Sequence, residues 1–576
     1  MEEAAPDRVI GRVIGTEDAT PLEFWVGVAP GGYLQLDDVV ALERSLPGDE
    51  AGAVRIYGIV SQVRARHEGA RFDSDVFLIA DGVLPAEVSE TAQVQATRFE
   101  PEVFIPPHPG TPVRKATGDE RNEALFVDQM ERRLPCGLSR DDEPIYLNFD
   151  FVDGARGAHV NISGISGVAT KTSYATFLLY SIFTSSILGP AAHNTKALIF
   201  NVKGEDLLFL DHPNRDLDAD QAERYKRLGL PLGAFDSLAV WAPPIPGDLN
   251  ATPRVTARTQ GVRSFFWTIA EFCDQELLPF LFADAEDDRQ QYTMVVHTVA
   301  AELKRVARAT ADRASGSVTV DGERITTFED LVRVIEERVL PGPDDDHVGP
   351  WAGRAIGLGT VNAFIRRLYG AVRHVAPLVR ADVARPEEHS VDFEGRQVTV
   401  VDLHNLHDRA KRFVVGVILR KAFERKEASG QANPLQFVVL DELNKYAPRE
   451  GSSPIKELLL DVAERGRSLG IVLIGAQQTA SEVERRIIAN SSIRVVGRLD
   501  SAEASRGEYG FLPTVQRQRA TIIKPGTMIV SQPQMPIPLV VEFPFPAWAT
   551  RASEADPMTN PASTRQPADP WEGLPS

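Results

Sequence analysis

The most constraining feature of this chain is a glycine-containing turn with a lysine and a threonine, at residues 161–173. This segment reads NISGISGVATKTS; it follows a short apolar run at 158–162 and leads into residues 174–183, which have a helical apolar face. A strand, a glycine-rich turn with Lys171 and Thr172, and a helix, in that order, are the layout of a phosphate-binding loop (P-loop). Its backbone N–H groups and helix N-terminus would face the phosphates, and the lysine would neutralise their charge.

This loop departs from the regular pattern in two ways. Thr170 stands where a glycine is expected immediately before Lys171, and the loop is one residue longer when counted from Gly164. A β-branched side chain tolerates a positive φ poorly, so Thr170 could clash there, whereas the extra residue could let Gly167 take the strained position. The assignment therefore needs support from other parts of the chain.

Composition limits the class of protein. A chain of 576 residues is too long for one core and predicts about two to four domains. Two cysteines, Cys136 and Cys273, provide neither a disulfide framework nor a metal-binding spacing, which fits a reducing compartment. The acidic start has no signal-peptide pattern, and no apolar run approaches the roughly 18 residues that span a bilayer. These features predict a cytoplasmic protein without a membrane segment.

The net charge of −19 argues mildly against a protein coated by nucleic acid. It does not exclude DNA in a narrow channel lined by a few Lys and Arg side chains, because affinity depends on local neutralisation of phosphates.

The N-terminal part of the chain, residues 1–105, reads as a small β-barrel or sandwich. Its β-type pieces are 9–14, 24–28, 54–63 and 75–78, separated by turn signals rich in Pro and Gly. Residues 106–140 begin with several prolines and are expected to form a linker.

Beyond residue 140 the pattern predicts an α/β fold with a parallel-type sheet covered on both faces. The apolar β-type runs are 159–163, 197–202, 397–403, 435–440, 471–476 and 494–499. Residues 207–394 are mainly helical in pattern and are expected to form an inserted helical domain. The core would therefore comprise 141–206 and 395–547 and end in a hairpin. The tail, 548–576, is expected to be disordered or to contact a partner subunit.

An acidic strand end supports the interpretation of the loop. The run at 435–440 is followed by Asp441 and Glu442. In P-loop ATPases an acid at this place holds Mg²⁺, and an adjacent Glu can orient and deprotonate the attacking water. The simpler alternative, a pair of acids that caps a strand, is less favoured because a phosphate-loop pattern precedes it on the same predicted sheet.

Amide and guanidinium side chains supply further candidates. Gln477 ends the run at 471–476 and could bond to a γ-phosphate or to water, although it could also be a solvated strand end. Arg465 and Arg467 follow an amphipathic pattern and could reach the γ-phosphate of a neighbouring subunit. Arg498 is a similar candidate. Surface arginines are common, so this spacing alone is weak evidence.

The order of these parts resembles that of the HerA-like ATPases, hexameric DNA translocases related to FtsK and to the conjugation ATPases. The resemblance covers most of the chain and is carried by 9–15, 57–60, 200–205, 401–403, 440–442, 466–470, 476–477, Asn490, 498–499 and 524–526. Asn201 departs from the family pattern, which has Asp at that place of its Asp-x-x-Gly-Glu motif.

The resemblance implies a RecA/FtsK-like P-loop ATPase core with an N-terminal β-barrel and an inserted helical domain, assembled as a homohexamer. It implies ATP and Mg²⁺ as cofactors. The nucleotide-binding residues would be Gly164, Gly167, Thr170, Lys171, Thr172, Ser173 and Glu205, and the metal ligands Thr172 and Asp441. The catalytic residues would be Glu442, Gln477, Arg467, Arg465 and Arg498.

The resemblance also implies a function, that of an ATP-driven translocase or helicase acting on duplex DNA. A nuclease or another effector protein would dock on the N-terminal barrel, in DNA processing or anti-phage defence. Residues 445–453, a stretch with Lys and Arg just beyond the acidic strand, are either a candidate loop for DNA contact or an ordinary surface loop.

Two alternatives stay open. One is a catalytically weak or inactive nucleotide-binding ring that serves as a scaffold for an effector, which the departures at Thr170 and Asn201 favour. The other is a conjugation or secretion ATPase that moves proteins at a membrane, which the N-terminal barrel disfavours.

Overall fold

The N-terminal region forms a closed barrel in the computed structural model, which describes residues 9–47, 52–70, 72–165, 170–282, 290–342, 347–353, 356–385 and 389–555. The barrel strands are β1 (Val9–Val13), β2 (Glu23–Val28), β3 (Val39–Ser45), β4 (Ala53–Glu68), β5 (Glu87–Glu100) and β6 (Pro112–Lys115). They follow the order β1-β2-β5-β4-β3-β6. Apolar side chains such as Val26, Val40 and Val94 fill the interior, as alternation along barrel strands requires.

Two details of the barrel differ from the sequence expectation. β6 pairs with both β1 and β3 and closes the barrel, although it lies in the expected linker, 106–140. The reason is Val113, which is fully buried in the barrel core. Residues 75–78 are not a strand but the start of helix α1 (Asp75–Ala80), at the tip of the long β4–β5 hairpin. A local hydrogen bond from the Phe72 N–H to the Asp75 carboxylate favours the turn there.

The rest of the chain is organised around a twelve-stranded sheet. The strands beyond the barrel, in this sheet and in one separate hairpin, are β7 (Arg133–Leu138), β8 (Pro144–Asn148), β9 (Ala158–Ser163), β10 (Lys196–Asn201), β11 (Leu238–Ala242), β12 (Val262–Ser264), β13 (Val318–Val320), β14 (Glu323–Ile325), β15 (Val398–Asp402), β16 (Gln436–Asp441), β17 (Ile471–Gln477), β18 (Ser491–Val496), β19 (Thr527–Ser531) and β20 (Leu539–Glu542). The sheet order is β12-β11-β15-β10-β16-β17-β9-β18-β19-β20-β7-β8, and β13 and β14 form a separate hairpin. From β12 to β18 in this order the neighbours are parallel.

Helices cover both faces of this sheet. After α2 (Gly118–Ala124), which packs against the barrel, the helices are α3 (Thr170–Thr184), α4 (Ala219–Arg227), α5 (Ile269–Asp274), α6 (Gln290–Thr310), α7 (Phe328–Val339), α8 (Leu358–Val375), α9 (Asp408–Ser429), α10 (Leu443–Tyr446), α11 (Pro454–Leu469), α12 (Arg485–Ala489), α13 (Ser501–Ala504) and α14 (Thr514–Ala520). Along β10, Leu198 and Phe200 belong to one apolar core and Ile199 to another, because successive side chains point to opposite faces. The α/β prediction is confirmed, and each predicted run beyond residue 140 coincides with a strand.

The region 207–394, expected to be mainly helical, also extends the sheet. It contains the helices from α4 to α8, but β11 and β12 add two strands beyond β15. β11 is a five-residue run followed directly by Pro243 and Pro244, too short for the periodicity to stand out between helical segments.

The described part of the tail, 548–555, packs on its own chain and is not a disordered segment. The fully buried ring of Trp548 lies 4.8 Å from the ring of Tyr180, and Ala555 bridges to Asn214. Residues 556–576 lie outside the described part of the chain. Among the described helices, none combines the length and the apolar character needed to cross a bilayer.

Candidate nucleotide-binding site

Several candidate residues lie at the carboxyl edge of the parallel strands. Lys171 and Thr172 begin α3, directly after β9 and its loop, and Asp441 is the last residue of β16. β17 separates β9 from β16 and runs parallel to both, so the three strands end at one edge. Ligand sites of open α/β sheets form at this edge.

Thr172 and Asp441 are in direct contact across that edge. The Thr172 hydroxyl Oγ1 donates to Asp441 Oδ2 at 3.0 Å, and Asp441 Oδ1 accepts the backbone N–H of Glu442 at 2.8 Å. Asp441 is buried. A carboxylate and a hydroxyl oxygen are the hard ligands that Mg²⁺ prefers, so these two side chains fit such an ion.

Lys171 is a buried cation in the same site. The residue is 4% exposed, and its Nζ donates to the Gly164 carbonyl at 2.5 Å. Burial lowers the pKa of Lys171 to about 8; Lys203 lowers it too, while Asp441 and Glu442 act in the opposite direction. The lysine of the loop and the two acids therefore share one electrostatic environment.

Lys203 is a functional candidate that the sequence interpretation missed. It follows β10, and its Nζ lies 3.1 Å from Asp441 Oδ2 and 3.7 Å from Glu442 Oε1. In the Asp-x-x-Gly-Glu motif of the HerA-like family, Lys203 stands at a position where any residue is allowed, so the motif does not single it out. The pairing of β10 with β16 brings it to the acids.

Glu442 has a strained backbone and lies between two cations. Its φ of 57° and ψ of 43° are in the left-handed region, which costs a non-glycine residue about 1–2 kcal/mol. Lys445 Nζ lies 2.8 Å from Glu442 Oε2, on the opposite carboxylate oxygen from Lys203. Strain of this kind is concentrated at functional sites.

Gln477 lies beside the loop, and its side chain is fully buried. The amide Nε2 donates to Asn161 Oδ1 and to Ser163 Oγ, both at 2.8 Å, and the backbone carbonyl accepts the Gly164 N–H at 3.1 Å. A solvated strand end is therefore excluded. Both donors of this amide bind β9, so Gln477 supports the strand that presents the loop.

The three candidate arginines are placed differently. The backbone carbonyl of Arg498 accepts the Ile165 N–H at 2.8 Å, next to the loop. Arg467 lies at the opposite sheet edge, where it donates to the carbonyls of Gly154 and Ala155, each at 2.8 Å.

Arg465 pairs with Glu427 on α9. Within one chain, neither Arg465 nor Arg467 joins Lys171.

Glu205 follows β10 and is hydrogen-bonded to the loop that contains Thr256 and Ala257. Its Oε1 accepts the Thr256 N–H at 2.9 Å and the Thr256 hydroxyl at 2.6 Å, and Oε2 accepts the Ala257 N–H at 2.5 Å. Although burial acts to raise it, these bonds leave the pKa of Glu205 below its usual value.

Asn201, which departs from the family pattern, joins two strands: its Nδ2 donates to Asp402 Oδ1 at 2.9 Å.

Part of the loop lies outside the described residues. The part that is not described comprises residues 166–169, which include Gly167, and the side chain of Thr170. The backbone of Thr170 begins α3. Ser173 lies in the first turn of that helix.

No protein-family model and no curated protein matches this chain. Solved structures with a similar fold include VirB4 of Thermoanaerobacter pseudethanolicus (16% identity, 72% of this chain and 97% of that chain covered, TM-score 0.43). Two others are the trigonal form of the bacterial conjugative coupling protein TrwBdeltaN70 in complex with sulphate (12%, 75% and 94%, 0.46) and the plasmid coupling protein TrwB in complex with ADP and Mg²⁺ (12%, 76% and 95%, 0.44). At these identities the likeness concerns the fold alone.

Proposed function

We propose that this protein is a P-loop ATPase that uses ATP hydrolysis to move duplex DNA through a homohexameric ring. The observation that carries the ATPase proposal is the convergence of Lys171, Thr172, Asp441 and Glu442, with the Thr172–Asp441 hydrogen bond at its centre. A cation from a loop, a hydroxyl and two acids at one strand edge are the parts that phosphoryl transfer needs.

Each residue has a distinct part in this proposal. Lys171 neutralises the β- and γ-phosphates. Lys203 adds a second positive charge beside the Asp441 carboxylate. Thr172 and Asp441 would hold Mg²⁺, which supplies charge neutralisation and orientation of the phosphates when bound. Glu442 accepts a proton from the attacking water.

The ring and DNA parts of the proposal rest on the resemblance to HerA-like ATPases. Arg467, Arg465 or Arg498 would complete the site of a neighbouring subunit, where such a charge raises the rate by about 10³–10⁵. Lys445 is engaged by Glu442, and Arg449 lies 3.3 Å from Glu508. These contacts favour a role of Lys445 at the nucleotide over one in DNA contact.

An effector such as a nuclease would dock on the barrel, in DNA processing or anti-phage defence.

The test is phosphate release by the purified full chain, with and without duplex DNA, together with its mass in solution. We expect the mass of a hexamer and a rate that rises with DNA. Lys171→Ala should abolish turnover, and Glu442→Gln should bind ATP but lose about 10²–10⁴ in rate, the usual contribution of a general base. Glu337→Gln, on the exposed surface of α7, is the matched control.

Two outcomes would contradict the proposal. Tight ATP binding without any phosphate release would favour the inactive scaffold ring. Turnover that duplex DNA does not change would remove the translocase assignment while leaving the ATPase in place.

A further inference from the structure

Lys203 lies in the turn that follows β10, and its ammonium group reaches the two acids of the proposed nucleotide site. Its Nζ lies 3.1 Å from Asp441 Oδ2, the same oxygen that accepts the Thr172 hydroxyl, and 3.7 Å from Glu442 Oε1. The side chain of Lys203 is 39% exposed, whereas Lys171 is buried. Lys203 is therefore a cation of this site that solvent can reach, unlike the lysine of the loop.

Asn201 holds this turn in shape through both N–H groups of its side-chain amide. Its Nδ2 donates to the Gly204 carbonyl at 2.8 Å and to Asp402 Oδ1 at 2.9 Å. Asn201 is 2% exposed, so both bonds are shielded from water. An amide nitrogen has two donors. One of them closes the turn 201–204 around Lys203, and the other ties that turn to the neighbouring strand β15.

The other neighbours of Lys203 along the chain are anchored as well. Val202 is buried in the core, and its carbonyl accepts Lys411 Nζ at 3.3 Å. Glu205 accepts two backbone N–H groups and one hydroxyl from a neighbouring loop. The backbone on both sides of Lys203 is thus fixed before any ligand binds. A cation that is held in place in this way loses less conformational entropy on binding than one on a mobile segment.

The neighbouring strand also explains why residue 201 is Asn in this chain. Asp402 stands opposite it in the parallel pair of β10 and β15 and is fully buried. His404 Nδ1 lies 2.9 Å from the Asp402 carboxylate, so Asn201 and His404 both satisfy it. An Asp at position 201 would offer no donor and would set two carboxylates against each other out of water, which is costly. The departure from the family's Asp therefore preserves the turn that presents Lys203.

We propose that Lys203 makes the nucleotide site prefer a triphosphate over a diphosphate, and that Asn201 is its positioning residue. The Lys203 ammonium borders Glu442, which in the proposed function acts on the water that attacks the γ-phosphate. The Lys171 ammonium is bound instead to the Gly164 carbonyl within the loop. The terminal phosphate is the group that only the triphosphate carries, and Lys203 supplies the positive charge for it. This inference rests on the proposed function and specifies the selectivity of the same site.

The selectivity is tested by the dissociation constants of two ligands, Mg²⁺–ADP and the Mg²⁺ complex of AMP-PNP, a triphosphate analogue with a non-hydrolysable terminal linkage. We expect Lys203→Met to raise the Kd of AMP-PNP by about tenfold or more and that of ADP by less than about threefold, since one charge-assisted hydrogen bond is lost. Lys203→Arg keeps the charge and should retain most of the preference.

Lys196→Met is the matched control for these measurements. Lys196 is the first residue of β10, at the opposite end of the strand from the acids, and its Nζ bonds to the His193 carbonyl at 3.4 Å. This substitution also removes a lysine charge from β10, and we expect it to leave both dissociation constants unchanged.

The role of Asn201 is tested by its coupling to Lys203. Asn201→Ser removes the amide without adding charge, and the serine hydroxyl retains one donor for the buried Asp402 carboxylate. It should weaken AMP-PNP binding selectively, by less than Lys203→Met does. In the Lys203→Met background it should have no further effect on the ratio of the two constants, because a positioning residue acts through the group that it positions. Urea denaturation establishes that each variant is folded under the conditions of the binding assay.

The possible failures are distinguishable. Equal weakening of both nucleotides in Lys203→Met would make Lys203 a general counter-ion of the acids and overturn the selectivity, as would unchanged affinity for both. Additive effects of Asn201→Ser and Lys203→Met would remove the positioning role of Asn201. A wild-type chain that binds neither nucleotide would overturn the ATPase proposal together with this one. Binding that is lost in Lys171→Ala, with an unchanged preference in Lys203→Met, would overturn this inference alone.

Discussion

Lys171 is a charged side chain that the fold holds almost out of solvent. Its pKa falls from 10.5 to about 8 because burial disfavours the charged form more than the two nearby acids favour it. A buried charge lowers stability unless a partner compensates it. The Gly164 carbonyl compensates part of that cost, and in the proposed function the nucleotide phosphates compensate more of it, so this residue exchanges stability for binding.

Replacement of Lys171 by Met should therefore stabilise the protein while it removes nucleotide binding. At pH 7 we expect the free energy of unfolding to rise by about 1–3 kcal/mol. The gain should shrink between about pH 8 and 10.5, because there the folded wild type has already lost a proton that its unfolded state still holds. Chemical denaturation at several pH values measures this, and a less stable variant at pH 7 would contradict it.

His159, the second residue of β9, should make the stability depend on pH in the acidic range. It is buried with a φ of 67°, its Nδ1 accepts the Leu473 N–H at 3.0 Å, and burial lowers its pKa to about 4. Stability should fall as the pH drops from about 6.5 to 4, since only the unfolded state takes up the proton. The maximum loss from this group is about 3 kcal/mol.

The check is His159→Asn, which retains a residue tolerant of positive φ. Its denaturation midpoint should vary less between pH 4 and 6.5 than that of the wild type. The exposed His193→Asn serves as control, and an unchanged slope in His159→Asn would assign the acid sensitivity to other groups.

At the scale of elements, the connections that lead into β16 and β17 depend on how the preceding helices end. α9 and α11 both end at a glycine in the left-handed region, Gly430 with φ 62° and Gly470 with φ 69°. A Cβ at Gly470 would lie 1.6 Å from the Ala432 carbonyl oxygen, whereas one at Gly430 would meet nothing within 4 Å. The two caps thus share a backbone conformation but differ in the space around them.

Alanine at these caps should separate the two effects. Gly430→Ala should cost about 1 kcal/mol, the price of the left-handed conformation alone. Gly470→Ala should cost more than about 3 kcal/mol, because the backbone beside Ala432 must also move. Urea denaturation of both variants measures the difference, and equal losses would mean that the contact with Ala432 relaxes freely.

At the scale of the whole molecule, the barrel is attached to the sheet domain by a charged contact. Arg519 Nη1 on α14 donates to both oxygens of Asp37, which follows β2, at 2.8 and 2.7 Å. Burial raises the pKa of Asp37, and Arg519 opposes that shift. The same region adjoins the P-loop through Arg498. The carbonyl of Arg498 accepts the Ile165 N–H, and its guanidinium donates to the Thr521 carbonyl at 3.2 Å.

Arg519→Met should loosen the barrel from the sheet domain. It leaves the half-buried Asp37 without its cation, which should cost about 1–3 kcal/mol, less than a broken pair that is fully buried. Hydrogen exchange should quicken in β3 and β4 but not in β16. The double variant Asp37→Asn/Arg519→Met should recover most of the loss, and exchange that stays unchanged in Arg519→Met would contradict this role.

The local sequence patterns of the chain were sufficient to predict much of the fold. Strands with continuous apolar runs, such as β16 and β17, are buried on both faces and have no other stable place than a covered parallel sheet. The hydroxyl and lysine of the loop and the acids after β16 were predictable as one site, because parallel strands end at a common edge.

Tertiary structure decided the features that depend on neighbours distant in sequence. Lys203 reaches Asp441 only because β10 pairs with β16, and β6 belongs to the barrel only because Val113 closes its core. Periodicity along a chain reports which face of an element is buried. It does not report which element covers that face, since the partner is set by packing between segments hundreds of residues apart.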